Sequence, residues 1–281
     1  MTGSYIFNNN SCFIDSMLII LYNSEEFLNT ILYKKPPTKR MYKRIYKQLL
    51  IDYCSLLKRQ AIISNDIRHL LGSLDKNISS GDYYNPAATY SILADVLTSI
   101  QTKIPQVVIK REGNKLSFDK SSMSTQTRST VCISDFMLVD RINDGESIPV
   151  ILWSKISSPF IVFQNDMSPP ILNLNSPARE KFMDIDIIKK RKLDYKILDN
   201  KYELFGVIIL HGVRFGSEGG THYTSIYKDR KINKWIFYDD ASRQPQTIIT
   251  DKVANLFIWS YNHQYKTLPY MLFYERTCNN E

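Results

Sequence analysis

The sequence predicts an α+β fold, helical up to about residue 105 and built of strands and loops over 106–281, in a single domain of 281 residues. Two observations carry this. In the first part apolar side chains recur at helical spacing, as at Ile45, Leu49, Leu50, Tyr53, Leu56 and Leu57. From Val107 onward they gather instead into short β-branched and aromatic runs between polar turns. The composition, 43% apolar with only 10 Gly and 11 Pro, supplies enough hydrophobic surface for a sizeable core.

Taken in order, Phe13–Tyr33 reads as one helix. Asn8-Asn9-Asn10-Ser11 precedes its apolar run, and Asn and Ser in that place mark a helix start. Helices follow over Tyr42–Ala61, Asp66–Leu74 and Pro86–Ile100, the last with Pro in its first turn. Cys54 and His69 sit within these patterns and read as packing or surface residues. Strands are expected at Val107–Lys110, Lys115–Phe118, Thr130–Ile133, Phe136–Val139, Val150–Trp153 and Phe160–Phe163, with Ser121–Ser129 as an exposed polar loop. His222–Tyr227 and Trp235–Tyr238 form a hairpin about the charged stretch Lys228–Lys234.

That hairpin carries chemistry. Folded between Arg230 and Lys231, it sets His222 opposite Asp239, and directly opposed residues have Cβ atoms about 4.5–5.5 Å apart. A carboxylate at that distance orients an imidazole. The turn lacks an Asn-Gly or Asp-Gly pair to fix the register, so this pairing is an expectation. Four cysteines compete to be the nucleophile of such a pair, and Cys12 stands out by its place in the first turn of a helix. Unpaired backbone N–H groups and the positive end of the helix dipole favour a thiolate there. The asparagines just before it offer amide donors to an oxyanion, and one such donor is worth about 3–4 kcal/mol in acyl transfer.

The bounds on function are broad. No apolar run approaches the length of a membrane span, and the N-terminus lacks the pattern of a signal peptide. The four cysteines are widely spaced without a C-x-x-C pair. This argues for a reducing compartment, against a disulfide framework and against a zinc site. An intracellular protein is expected, in cytoplasm or nucleus, with no metal and no cofactor. The net charge is +8, with basic clusters at Lys34–Lys47 and at Lys189-Lys190-Arg191-Lys192. These read as solvated basic surface, the second also as a candidate nuclear address, and without a recognition motif nucleic acid is not an expected partner. The abundance of Lys, Ile, Asn and Tyr suggests an AT-rich genome such as that of a large DNA virus.

Asn8 to Ser16 resembles the cysteine box of the ubiquitin-specific proteases, N-x-G-N-T-C-Y-M-N-S, and Gly220 to Asp240 resembles their histidine box, G-H-Y followed by W-Y-x-F-D-D. Tyr202–Gly212 is similar to the strand Y-x-L-x-A-V-I-x-H-x-G that precedes the histidine box. Pro269–Arg276 is similar to the closing strand A-Y-x-L-F-Y, and Ser158–Gln164 is a weaker echo of P-x-x-L-x-I-x-L. The blocks stand in family order across nearly the whole chain. The resemblance implies a papain-like core with a helical thumb over 1–105 and β-rich palm and fingers over 106–281. The fingers are expected to be short and metal-free.

Carried over by position, the resemblance makes Cys12 the nucleophile, His222 the general base and Asp239 the residue that orients it. The family's oxyanion asparagine falls on Phe7 here. Asn8, one position nearer, and Asn10, matching the second asparagine, are the candidate donors beside the Cys12 backbone N–H. A simple helix-capping role for them stays open. Asp240 matches the family's second aspartate, with a role in holding water or loop structure. Gly219, Gly220 and Tyr223 are expected to line the channel for a Gly-Gly tail, although a plain turn explains the glycines as well. The family's Q-D-x-x-E-F-L box falls on Asn85–Ser91, with Pro86 and Thr89 at its acidic positions. Arginine contacts from a ubiquitin tail are thereby lost, unless Asp82 or Asp95 substitutes. The implied activity is deubiquitination by a monomer acting on conjugates of ubiquitin or a ubiquitin-like modifier. The alternatives are a polyprotein-processing protease of the same fold, or a ubiquitin-binding module with little turnover.

Overall fold

The computed structural model describes residues 3–79, 86–98, 107–112, 115–118, 126–128, 131–132, 160–164, 196–197, 202–211, 222–259 and 268–277. It divides into two compact units, one of residues 1–102 with 205–270, the other of 103–204 with 271–281.

The first unit begins with strand β1 (Ser4–Tyr5) and helices α1 (Cys12–Leu21), α2 (Glu25–Tyr33) and α3 (Arg40–Leu57). Strand β2 (Ala61–Ile62) and helices α4 (Asn65–Gly72), α5 (Lys76–Ser79) and α6 (Pro86–Thr98) follow. All ten residues of α1 are buried, including Asp15 and Ser16. A helix this apolar all round has no solvent face and must sit in a core.

The stretch expected to be one helix over Phe13–Tyr33 is two. After Tyr22 the chain turns, and Ser24 restarts it by accepting the Phe27 N–H at 3.0 Å, with Glu25 and Glu26 in the first turn of α2. The helix expected to reach Ala61 ends at Leu57, because Ala61 and Ile62 pair in parallel with Ser4 and Tyr5. Buried Tyr5 fastens this N-terminal segment: its hydroxyl donates to Asp52 Oδ2 at 3.0 Å, and its carbonyl accepts from the Tyr238 hydroxyl at 3.0 Å.

The same unit holds an antiparallel sheet in the order β12 (Gln246–Ile249), β11 (Lys234–Tyr238), β10 (His222–Asp229) and, from Phe205 onward, β9 (Tyr202–His211), and a helix α7 (Asp251–Trp259). β12 and α7 were not foreseen. Val207–Leu210, Ile226 and Tyr227 are buried, and α1 packs on β10 with Ser16 donating to the Tyr223 carbonyl at 3.0 Å. Gly206 leaves room for this helix. A Cβ there would lie 2.3 Å from Ile20 Cγ2.

In the second unit, strand β3 (Val107–Glu112) pairs with β4 (Lys115–Phe118) and β5 (Gln126–Arg128). β5 falls inside the stretch expected to be loop. Strand β7 (Phe160–Gln164) lies between β6 (Val131–Cys132) and residues Met271–Glu275 of β13 (Leu268–Arg276). β8 (Lys196–Ile197) pairs with the start of β9. The strands expected at Phe136–Val139 and Val150–Trp153 lie outside the described residues.

Candidate active site

Site construction starts at the turn before α1. Asn9 and Asn10 both take the left-handed conformation, with φ of 50° and 60°, which Asn tolerates better than most residues. The turn is closed by the Ser11 N–H on the Asn8 carbonyl and by the Asn8 N–H on Ser11 Oγ. Arg68 of α4 reaches in from the side, donating through Nη1 to the Asn9 carbonyl and through Nε to the Ile78 carbonyl. Its guanidinium also lies over the Phe13 ring. Ser11 ends the turn, and Cys12 is the first residue of α1.

Cys12 is fully buried. Burial pushes its thiol up to about 12, the backbone N–H of Tyr223 pulls the other way, and the carboxyls of Asp240 and Asp15 push it up further. The group facing the sulfur is thus the main chain of the residue that follows His222. Cys12 and Ser16, one turn apart, both read the backbone of Tyr223, and so α1 is registered on β10. The Tyr223 ring is buried and packs 5.5 Å from Tyr270.

His222 and Asp239 meet as expected, at a register different from the expected one. Asp229 Oδ1 accepts the Lys231 N–H at 2.9 Å, and Asn233 takes a φ of 51°. The turn is therefore 230–233, and Asp229 pairs with Lys234. Each partner moves by two residues, which keeps every side chain on its face. His222 and Asp239 become diagonal rather than direct neighbours. β10–β11 pairing ends at Ser225 and Tyr238, after which Asp239 Oδ1 accepts the Ala241 N–H at 3.0 Å and His222 Nε2 lies 2.8 Å from the same oxygen. Burial alone would raise this carboxyl, but the His222 and Ala241 hydrogen bonds outweigh it and hold it below the usual carboxylate range. Burial pulls His222 down, and Asp239 reverses that to raise it.

No hydrogen bond joins the Cys12 thiol to His222 in this arrangement. The ring has Phe7 edge-on at 6.0 Å and His211, its partner across β9, at 6.2 Å. Burial and the neighbouring His222 push His211 down to about 4, so it is neutral, and its Nε2 bonds Thr224 Oγ1.

Beneath the histidine lies a pair of acids. Asp240 Oδ1 is 3.7 Å from His222 Nε2, while Asp15 of α1 accepts from Ser11 Oγ at 2.6 Å. Asp15 is fully buried and Asp240 nearly so. Asp15 Oδ1 and both Asp240 oxygens are buried without a close hydrogen-bond partner; a proton shared between the two carboxyls satisfies one oxygen of each, and the buried Ser64 hydroxyl is a further donor near Asp15. Burial and the charge of Asp15 push Asp240 up to about 8; burial pushes Asp15 up to about 6 against the hydrogen bonds from Asp240 and Ser11. Near neutral pH the pair therefore keeps one proton, shared between the two carboxyls. Sequence reasoning passed over Asp15. The signal was a carboxylate inside the apolar run of α1, where the resembled box has Asn.

Of the proposed oxyanion donors, Asn8 has its Nδ2 on Asn65 Oδ1 at 3.0 Å, which leaves its second amide hydrogen. Neither Asn8 nor Asn10 is the helix cap. That position is Ser11, and its side chain serves Asp15 instead. Asp82, Gly219 and Gly220 lie outside the described residues, and Asp95 is exposed on α6. His222, Asp239 and Asp240 each place a ligand atom within 4.8 Å of the others. The imidazole of His222 joins them, at 2.8 Å from Asp239 and 3.7 Å from Asp240. Cys54 and His69 are exposed on the helices, and among the described residues no helix is long and apolar enough to cross a membrane.

A cysteine opening a buried helix that packs on the strand carrying His222, with Asp239 just past the next strand, is the layout of a papain-like thiol hydrolase. The family model described as ubiquitin carboxyl-terminal hydrolase matches residues 7–274, and the chain belongs to that family, whose members are cysteine proteases acting on ubiquitin conjugates. No curated protein matches the chain.

Proposed function

We propose that the chain is a thiol isopeptidase hydrolysing the bond after the C-terminal glycine of ubiquitin or a ubiquitin-like modifier. The supporting observation is the His222–Asp239 bond at 2.8 Å, with His222 on the strand whose next residue, Tyr223, faces the Cys12 sulfur through its backbone N–H. Cys12 is the nucleophile, His222 the base and Asp239 its orienting partner. With Nε2 held by Asp239, the ring nitrogen left for the thiol proton is Nδ1. A half-turn of the ring would exchange the two roles. The thiolate attacks the glycine carbonyl, and the negative oxygen is met by the Cys12 backbone N–H and an Asn8 or Asn10 amide. The imidazolium then gives its proton to the leaving lysine amine. Water, giving a proton to His222, cleaves the thioester. Gly219, Gly220 and Asp82 are assigned to the tail channel.

The neutral thiol favours a resting state that substrate must rearrange, bringing the ring to the sulfur before chemistry starts. Its high pKa and the missing bond to His222 equally support the second reading, a module that holds ubiquitin and turns over little. An electrophilic probe on the ubiquitin tail separates them. The expected result is a covalent adduct on the wild-type chain and none on Cys12→Ala at unchanged fold. Tight non-covalent binding without an adduct would establish the second reading, and full labelling of Cys12→Ala would remove Cys12 as nucleophile. Parallel probes on ubiquitin relatives, and peptides with a Gly-containing cleavage site, identify the substrate.

A further inference from the structure

The +8 charge of the chain is not spread over it. Residues 34–60 hold nine of the 36 basic side chains and one of the 28 acidic ones, and the remaining 27 of each sign cancel. The lone acid, Asp52, is buried, with its oxygens taken by the Tyr5 hydroxyl and by Gln48 Nε2. All nine cations are exposed. Among the described residues none of them is ion-paired; Lys39 lies over the Tyr42 ring.

The fold collects these charges. Ile45, Leu49 and Leu56 turn one face of α3 into the core, leaving Arg40, Lys43, Arg44 and Lys47 as a stripe on the opposite face. The Tyr46 hydroxyl bonds the carbonyls of Ile31 and Lys34, fastening the Lys34-Lys35 segment beside the middle of the helix. Nor does helix stability explain the stripe. Its cations crowd the N-terminal half of α3, whose first turn has no acid, and the helix dipole disfavours positive charge at that end.

We propose that this face of α3, with Lys34 and Lys35, binds the phosphate backbone of nucleic acid without regard to sequence. From Arg40 to Lys47 the helix rises about 10.5 Å, a length over which about three phosphates of one duplex strand rise. Arginine and lysine together suit phosphate oxygens. The absence of a recognition motif in the sequence bears on base reading alone. A membrane surface would need a continuous exposed apolar face on the same helix, and α3 offers only Ile51 and Leu57, both beyond the Arg40–Lys47 stripe. An acidic protein would need a desolvated apolar anchor at the patch centre, where the exposed positions are cations.

The test is fluorescence anisotropy with labelled duplex DNA and RNA of mixed sequence, from about 50 to about 200 mM salt. Binding is expected to weaken with a log–log slope of about −3 to −4 for duplex DNA, matching four phosphates neutralised. R40Q/K43Q/R44Q/K47Q should lose at least about tenfold in affinity and most of the slope, with unchanged circular dichroism and unchanged labelling by the ubiquitin probe. The control K231Q/K234Q/R243Q/K252Q removes as much charge from other exposed positions and should stay within about twofold of wild type. Equal loss in both variants, no wild-type binding at low salt, or tighter binding of polyglutamate than of duplex would each overturn the assignment. The proposal stands apart from the protease reading, which the probe tests separately.

Discussion

Asp15→Asn should make the protein more stable in mild alkali by removing a charge from its core. In the wild type the Asp15–Asp240 pair keeps a proton that the same carboxyls, near 3.8 when unfolded, have released. The folded pKa values are raised, so this contribution favours folding at low pH and is lost as pH rises toward 8. One retained proton gives a slope of about 1.4 kcal/mol per pH unit, or about 2–3 kcal/mol between pH 6 and 8. His222, also raised, adds a slope of the same sign; His211, lowered to about 4, adds the opposite sign below about pH 6.5. His211 is common to wild type and variant, while His222 loses the part of its rise that comes from Asp15, which flattens the variant curve in the same direction. The amide that replaces the Asp15 carboxyl can donate to ionised Asp240 and still accept from Ser11. The variant curve should be flatter, with a gain over wild type of about 1–2 kcal/mol at pH 8. Urea midpoints at several pH values measure it. Parallel curves for the two proteins would refute the shared proton.

His222→Ala should lower the rate of ubiquitin-tail hydrolysis by about 10²–10⁴-fold, read as kcat/KM on a fluorogenic conjugate. Asp239→Asn should cost a comparable factor and move the pH–rate profile to lower pH, because the histidine loses the charge that raises it. Gly206→Ala should destabilise the fold by about 1–3 kcal/mol in thermal or urea unfolding, since its Cβ runs into branched Ile20. Ser16→Ala removes a buried donor from the Tyr223 carbonyl and should cost about 1–3 kcal/mol.

The parts legible in the sequence were those fixed by local pattern. The stripe of α3, the aromatic strands β10 and β11 and the helix start at Cys12 all follow from spacing and residue type. The break at Asn23-Ser24 was readable in principle, since Ser followed by Glu25 and Glu26 is a start signal, but the apolar run on either side masked it. The hairpin register depended on one side chain, Asp229, folding back on its own turn, and no residue pattern announces that choice. Long-range facts were out of reach. Asp15 facing Asp240, Arg68 gripping the Asn9 carbonyl and Ala61 leaving a helical pattern to pair with Ser4 each bring together segments with no local signal in common.

The left-handed bend at Asn9 and Asn10 has a practical corollary. Those two positions supply shape and polar groups at once, and an ordinary alanine scan would remove both together. Glycine keeps the bend while deleting the amide, so Asn10→Gly set beside Asn10→Ala would show whether the loop before the sulfur matters for its curvature or for what it can donate.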